Sequence, residues 1–384
     1  MQNKRHICFY TGKRGGFNHL VPLLELISQD PDCRYSLIAT DMHLSPAFGE
    51  TINEVSRWAE NVYTVETLMD RDSKVSRAKS IGIGIMGIAD LLERLAPDLV
   101  LAVGDRGEVL ALVICAVELN IPVVHLFGGD VSQGGVDEVV RHAITKMANL
   151  HLTSNNDSAN RIIKMGEEEW RVHNVGSPVL DLIKQKRYTP PEVIRDRFKL
   201  NLDAPILVLL QHSVTWQVEQ AEFQIRQTME AIDSLGYQTV AIYPCSDPGC
   251  QDIIKVLQEY TSKDYFQLHK NVDFPDFWGL LNVARAFVGN SSAGLMEAPS
   301  FHLPFINIGI RQEGRLRADN VIDVDHDQAQ ISAALQQALF DAEFRAKVQK
   351  CASPYGDGRA AARILAILKQ VRLDDKLIRK KMTY

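Results

Sequence analysis

The sequence predicts an α/β protein with two mostly parallel sheets, and three observations carry that prediction. Short apolar runs alternate with stretches of helical period. The alternation pauses and restarts midway along the chain. Several of the apolar runs end in Gly, Asp, Ser or His instead of another hydrophobic residue. Strand, loop, helix, strand at this spacing is the βαβ unit, whose right-handed crossover leaves neighbouring strands parallel.

Each element follows from the local pattern. His6 to Thr11 is the first strand, running into Gly12-Lys13-Arg14-Gly15-Gly16, and Asn18 to Ser28 is a helix with Leu20, Leu23, Leu24 and Ile27 on one face. Tyr35 to Ala39 is the next strand, followed by Asp41-Met42-His43-Leu44. Asp98 to Val103 ends in Gly104-Asp105-Arg106, and a helix from Glu108 to Leu119 follows. Ile121 to Leu126 runs into Phe127-Gly128-Gly129-Asp130, and His151 to Ser154 is a further short strand. The period restarts after Val175-Gly176-Ser177-Pro178, and Pro190-Pro191 marks a break. Strands are expected at Pro205 to Leu210, Thr239 to Tyr243, Ala286 to Val288 and Pro304 to Ile308. Pro275 to Ala284 is a helix whose proline sits where no N–H is needed, and Leu295 to Ser300 is another. An amphipathic helix from about Arg359 to Lys369 closes the pattern, and the basic tail, Lys376 to Tyr384, is expected to lack fixed structure.

Two such halves facing one another across a central cleft make the glycosyltransferase-B type of architecture. The expected division is an N-terminal Rossmann-like domain over 1–176 and a C-terminal one over 177–358. The helix from about 359 packs back on the first, and a hinge is expected near Ser177.

Bulk properties narrow the function. At 384 residues the chain is long enough for two sizeable cores, and 46% hydrophobic with 23% charged residues is globular composition. A net charge of -6 argues against a nucleic-acid partner, because phosphate contacts need a basic face. A few arginines in a cleft can still bind an anionic small molecule. No run approaches a membrane span, and Met1 to Phe9 reads as a charged lead-in to a strand, so the expected location is cytoplasmic. The six cysteines are scattered, and Cys245 and Cys250 have no accompanying pair at zinc spacing.

The chemistry concentrates at strand ends. Phe127-Gly128-Gly129-Asp130 is followed by Asp137 and Glu138, which open a helix carrying Arg141 and His142. Carboxylates, guanidinium and imidazole thus meet where open α/β sheets hold their ligands. The alternative for any one acid is a helix N-terminus that merely favours negative charge. Asp105, at a strand tip, has no packing role to fill, although it could cap the helix after it. His43 and His212 each end or follow a strand, one in each half, and are candidates for proton transfer. In Gly289-Asn290-Ser291-Ser292-Ala293-Gly294, small residues let a phosphate approach and serines add donors, without the ending of a P-loop. Glu297 beyond it would suit a ribose diol. Of Arg311, Arg315 and Arg317, one is expected on a diphosphate and the others solvated or paired with Glu313 and Asp319.

Together these residues resemble the hydrolysing UDP-N-acetylglucosamine 2-epimerases of bacterial sialic- and legionaminic-acid biosynthesis. The likeness rests on Asp41-Met42-His43-Leu44 through Phe48-Gly49-Glu50-Thr51, Gly104-Asp105-Arg106, Gly128-Gly129-Asp130, Asp137-Glu138 and Arg141-His142-Ala143-Ile144-Thr145-Lys146. It continues through Gly289-Asn290-Ser291-Ser292, Asn307-Ile308-Gly309 with Arg311-Gln312 and Gly314-Arg315, and Pro354-Tyr355-Gly356-Asp357-Gly358, so it spans almost the whole chain. The resemblance implies elimination of UDP to a 2-acetamidoglucal, then hydration to the free manno-configured sugar, with no metal or other cofactor. It implies that Asp105, Asp130 and Asp137 are the acid/base groups, with Arg106, Glu138 and His142 supporting them. His212, Ser291, Ser292, Glu297, Arg311 and Arg14 would hold UDP, with His43, Phe127 and Arg141 also lining the substrate. A homodimer or homotetramer is expected by the same analogy.

Four departures stand out. The acid usual after the first-loop arginine is replaced by Gly16, Phe127 stands where relatives place Glu or His, and Ser213-Val214 stands for Pro-Glu after His212. Asp130 is also one methylene shorter than the usual Glu. An apolar Phe127 and a small Gly16 suggest a 2,4-diacetamido-2,4,6-trideoxy sugar in place of N-acetylglucosamine. A transferase of the same architecture and a binding protein without turnover are the alternatives.

Overall fold

The computed structural model describes residues 4–384, so the start of the lead-in from Met1 lies outside the described residues. The chain forms two units. The first comprises Met1–Val131, Val136–Leu182 and Tyr355–Tyr384, and the second Ser132–Gly135 and Ile183–Pro354.

The first unit is built on β1 (Arg5–Thr11), β2 (Cys33–Thr40), β3 (Val62–Val65), β4 (Leu99–Val103), β5 (Val123–Leu126), β6 (Leu150–Thr153) and β7 (Val172–Asn174). All pair in parallel, in the order β3-β2-β1-β4-β5-β6-β7. The central strands are buried, β4 and β5 throughout and β1 from His6 onward, because crossover helices cover the sheet, which is why they read as largely apolar runs. The helices include α1 (Val21–Gln29), α2 (Lys74–Leu95), α3 (Gly107–Glu118) and α4 (Asp137–Met147). Ile88, Leu91 and Leu92 of α2 share one core with Val109, Leu112, Val113 and Ala116 of α3. The C-terminal helix Ala360–Gln370 is tied to the same unit by Asp181, whose carboxylate accepts from the Ala360 and Ala361 amides at 2.9 and 2.8 Å. Those amides have no partner within their own helix, so the remote carboxylate caps it.

The second unit repeats the plan with β8 (Ile206–Leu210), β9 (Gln238–Ile242), β10 (Phe266–His269), β11 (Ala286–Gly289), β12 (Phe305–Ile308) and β13 (Val321–Val324), in the order β10-β9-β8-β11-β12-β13. Helices α5 (Ala221–Asp233), α6 (Phe274–Val283) and α7 (Gln328–Phe340) help to cover it, and α6 carries its proline in the first turn as expected.

Several expectations need correction. The helix expected from Asn18 is two pieces, Arg14–Phe17 and α1, with Pro22 in the first turn of the latter. The helix expected from Leu295 is a short turn, Ala293–Met296, then a 3-10 turn, Ala298–Phe301, because Pro299 has no amide to continue the ladder. The tail is ordered: Asp375–Ile378 is a helical turn with Leu377 buried. Among the described residues no helix is long and apolar enough to cross a membrane.

Candidate active site

Both sheets reverse their strand order once, between β1 and β4 in the first unit and between β8 and β11 in the second. At such a switch point the flanking loops diverge and leave a crevice, where open α/β sheets bind ligands. The loops after β1 and β4 carry Arg14 and Asp105-Arg106. Those after β8 and β11 carry His212 and Asn290-Ser291-Ser292. Arg14, Asp105, Arg106, His212, Ser291 and Ser292 therefore stand at the two positions where this topology makes a site, whereas Phe127, Asp130, Asp137, Glu138, Arg141 and His142 follow β5.

In the first unit the centre is Arg141, which is fully buried one turn into α4. Its guanidinium pairs with the Asp105 carboxylate, donates to Glu138 Oε2 at 3.1 Å and donates to the Asp130 carbonyl at 3.1 Å. One side chain thus gathers the loop after β4, the loop after β5 and the start of α4. A buried guanidinium needs such partners to offset its lost hydration, so the loops and the charge stabilise one another. Glu138 also meets His142, Oε1 to Nε2 at 3.1 Å, as their spacing on the helix dictates. Asp137 is half-buried at the first position of α4, and Asp130 is buried. Below this cluster His125 spans β4 and α4, with Nε2 2.7 Å from the Gly104 carbonyl and Nδ1 3.2 Å from Thr145 Oγ1. Burial pushes its pKa down to about 3, so the ring is a neutral strut.

A second charged group lies under the first loop. Arg77 of α2 pairs with both Asp41 and Glu108, and Arg106 Nε stands 3.5 Å from Glu108 Oε1. Burial works to raise the Glu108 carboxyl, but Arg77, then Arg106 and Lys13, outweigh it and hold it below the usual carboxylate range. Gly12 is required here, since a Cβ would sit 2.7 Å from Glu108 Cγ. His43 is buried with Nε2 2.9 Å from Thr11 Oγ1 and Nδ1 2.8 Å from Thr51 Oγ1. Burial, then the Arg14 charge, lowers its pKa to about 3.

Phe127 has φ +70°, a region that bulky residues rarely adopt. Its ring lies edge-on to His19, with centroids 4.6 Å apart, and is 6% exposed. The strain therefore falls within the Phe127-Gly128-Gly129-Asp130 run that follows β5.

In the second unit the centre is an amide. Asn290 Oδ1 accepts from the His212 amide at 2.7 Å and its Nδ2 donates to the His212 carbonyl at 2.9 Å, which locks the loops after β8 and β11 together. The Asn290 carbonyl accepts from Arg311 Nη1 at 3.0 Å and Gln312 Nε2 at 2.8 Å, which brings in the loop after β12. His212 Nδ1 accepts from the Cys245 amide at 3.0 Å, so a neutral ring carries its proton on Nε2 as a donor. Ser291 Oγ accepts from the Ala293 amide at 3.3 Å, and Ser292 is the N-cap residue of the short helix. Gly289, at φ +126°, is needed at the turn because a Cβ would meet the Leu210 carbonyl at 2.2 Å. Glu297 accepts from Trp278 Nε1 at 2.5 Å, and burial raises its pKa to about 7.

The structure corrects several roles. Arg141, expected to touch substrate, is fully buried and organises carboxylates instead. Arg106 is buried against Glu108, and His43 is a neutral brace between two threonines, not a proton donor. The cap of α3 is Arg106, not Asp105. Arg317 pairs with Asp323, whereas Asp319 pairs with Lys347 at 2.9 Å, and Arg315 donates to Gln312 at 3.0 Å. Sequence reasoning assigned no role to Asp41, Arg77, Glu108, Asn290 or Gln312. The signal for Asn290 is its position directly after a buried strand, in Gly289-Asn290-Ser291-Ser292. Nothing local marks Arg77 as the partner of Asp41.

The chain matches the UDP-N-acetylglucosamine 2-epimerase family over residues 25–369. It is 36% identical over 381 residues to a protein of Legionella pneumophila named UDP-N,N'-diacetylbacillosamine 2-epimerase (hydrolyzing), covering 99% of this chain and 100% of that one. It is 34% identical to GDP/UDP-N,N'-diacetylbacillosamine 2-epimerase (hydrolyzing) of Campylobacter jejuni, over 85% of this chain and 87% of the other. In fold it is similar to the crystal structure of UDP-GlcNAc 2-epimerase from Neisseria meningitidis bound to UDP-GlcNAc, with TM-score 0.81 and 19% identity, over 95% of this chain and 100% of the other. Two Rossmann-like parallel-sheet units of glycosyltransferase-B type, matched over nearly their whole length, leave one conclusion. The chain belongs to the UDP-N-acetylglucosamine 2-epimerase family.

Proposed function

We propose that this protein is a hydrolysing nucleotide-sugar 2-epimerase that takes a UDP-linked, N-acetylated hexose. The observation that carries the reading is the gathering of Asp105, Glu138 and the Asp130 loop on one buried guanidinium at a switch point. In the first step a carboxylate takes the proton from sugar C2 while the C1–O bond breaks. Its electron pair leaves with UDP, and a C1=C2 double bond forms. In the second, a carboxylic acid gives a proton to the opposite face of C2 while water adds its oxygen to C1, and the proton that this water releases passes to a carboxylate. The products are UDP and the free 2-epimer.

C2–H is a weak acid, so the leaving group must be strongly stabilised. Arg14, His212, Ser291, Ser292 and Arg311 are assigned to the UDP, and Glu297 to the ribose diol. Asp105, Asp130 and Asp137 are assigned to proton transfer, with Glu138 and His142 adjusting them. Phe127 and Gly16 are assigned to a sugar that is apolar at C6 and acetamido-substituted at C4, a 2,4-diacetamido-2,4,6-trideoxyhexose. The names of the Legionella and Campylobacter relatives support that choice. Such a product would feed synthesis of nonulosonic acids of the legionaminic type. A cytoplasmic homo-oligomer is part of the same proposal.

The test offers UDP-N-acetylglucosamine and the UDP-linked diacetamido sugar in parallel and follows UDP release. Faster turnover of the diacetamido substrate is expected. A clear preference for UDP-N-acetylglucosamine overturns the sugar assignment, and UDP release only with an added acceptor overturns the epimerase.

A further inference from the structure

The C-terminal tail reaches the far end of the helix that bears the acids. Lys380 Nζ donates to the Lys146 and Ala148 carbonyls, both at 2.7 Å, and stands 2.8 Å from Glu167 Oε2. An ammonium has three donors, and here each has an acceptor. Lys146 and Ala148 lie at the C-terminal end of α4, where carbonyls have no partner further along the helix. A cation there satisfies them and opposes the negative end of the helix dipole.

The lysine is itself held firmly. Buried Arg171 donates to the Leu377 carbonyl at 2.8 Å, the Lys376 carbonyl at 2.6 Å and the Asn149 carbonyl at 2.9 Å, just beyond α4. Asn149 Nδ2 donates to the Leu377 carbonyl at 3.2 Å, and the Thr383 amide to the Gly166 carbonyl at 3.3 Å. Buried Glu167 receives Lys146 at 2.5 Å and faces His151 at 3.1 Å, so it joins the helix, strand β6 and the tail at one point.

Helix α4 is therefore fixed at both ends by charge. Arg141 ties its first turns to Asp105, and Lys380 clamps its last turn. We infer that Lys380 is a positioning residue for the proposed epimerisation: by capping α4 it sets the axial placement of Asp137, Glu138 and Arg141. It touches no substrate. The inference rests on the proposed function, because the helix matters for turnover only if its acids act there. A displacement of the order of 1 Å in a reacting group costs about 100-fold in rate, whereas binding made elsewhere is little changed.

The test compares Lys380→Met and Lys380→Arg in the full-length protein, by steady-state kinetics and by amide hydrogen exchange of α4. Lys380→Met is expected to lower kcat roughly 10- to 100-fold with KM within about two-fold, and Lys380→Arg to restore most of kcat. Exchange is expected to quicken in α4, including Asp137–His142, and not across the rest of the first unit. Should Lys380→Met fail to fold, Lys380→Gln, which keeps a donor without the charge, takes its place. Unchanged kcat, unchanged exchange in α4, no rescue by arginine, or quickened exchange spread over the whole first unit each overturns the inference. If the wild-type protein releases no UDP, the proposed function falls and exchange alone decides the role of Lys380.

Discussion

The two units share one topology and stabilise their switch-point loops in opposite ways. In the first, loops are held by ions: Arg141 on Asp105 and Glu138, Arg77 on Asp41 and Glu108. In the second, they are held by a neutral amide, with Asn290 bonded to both backbone groups of His212 and its own carbonyl receiving Arg311 and Gln312. A carboxylate meant to move a proton must be held near groups that fix its position and charge. A loop meant to receive a diphosphate needs a set shape without carboxylates to repel it. The difference in chemistry thus matches the division of labour proposed for them.

The strongest way to break that comparison is to remove the charges. Asp105→Asn keeps shape and removes one of the carboxylates proposed to transfer the proton, and turnover is expected to fall about 1000-fold with the fold intact, as judged by melting temperature. Arg141→Met strands Asp105 and Glu138 and is expected to cost about 3–5 kcal/mol in chemical denaturation, as well as activity. Wild-type stability in Arg141→Met would show that the ion cluster is incidental. Asn290→Ala in the second unit is expected to cost about 1–3 kcal/mol and to raise KM more than it lowers kcat. A fall in kcat at unchanged KM would place that loop with the chemistry instead.

Two smaller effects depend on pH, with opposite signs. Glu297 has its pKa raised by burial to about 7, so its contribution to stability is present below pH 4.5 and lost as pH rises through 7. Glu297→Gln is expected to melt higher than wild type at pH 8, with the difference closing towards pH 4.5. Glu167 behaves in reverse. Burial raises its pKa, but hydrogen bonds from His151, Lys146 and Lys380 lower it further, to about 2. Its contribution is present above pH 4.5 and lost as pH falls through 2. Glu167→Gln is expected to melt lower than wild type at pH 7, and the gap to narrow in acid. An equal gap at both pH values would mean that its charge does not matter.

Much of this fold was legible because the central strands are buried on both faces and so read as plain apolar runs, as Ile206–Leu210 does. The edge strands were not. Val62–Val65 has exposed central residues, and Val321–Val324 carries Asp323, so neither shows a buried signal. Helix α2 was missed because Ile81-Gly82-Ile83-Gly84-Ile85 mixes glycines with β-branched residues, both poor helix formers. The candidate acids stand out in the sequence because Gly-Asp and Gly-Gly-Asp follow strands. Their organiser was misassigned because burial of Arg141 depends on Asp105, which lies on another element. The tail was misjudged for the same reason: its basic residues look solvated until Glu167 and Arg171, some two hundred positions away, are brought against it.

Proton NMR in deuterium oxide distinguishes proton transfer at C2 by the carboxylates held on Arg141, as proposed, from hydrolysis at C1 alone. The UDP-linked diacetamido sugar is incubated with wild-type protein and with Asp105→Asn, and the free sugar is examined. UDP release with one deuterium at C2 of a manno-configured product is expected from the wild-type protein, and neither event from Asp105→Asn. Release of a free sugar that retains its original C2 proton and configuration would show simple hydrolysis at C1 and contradict the account.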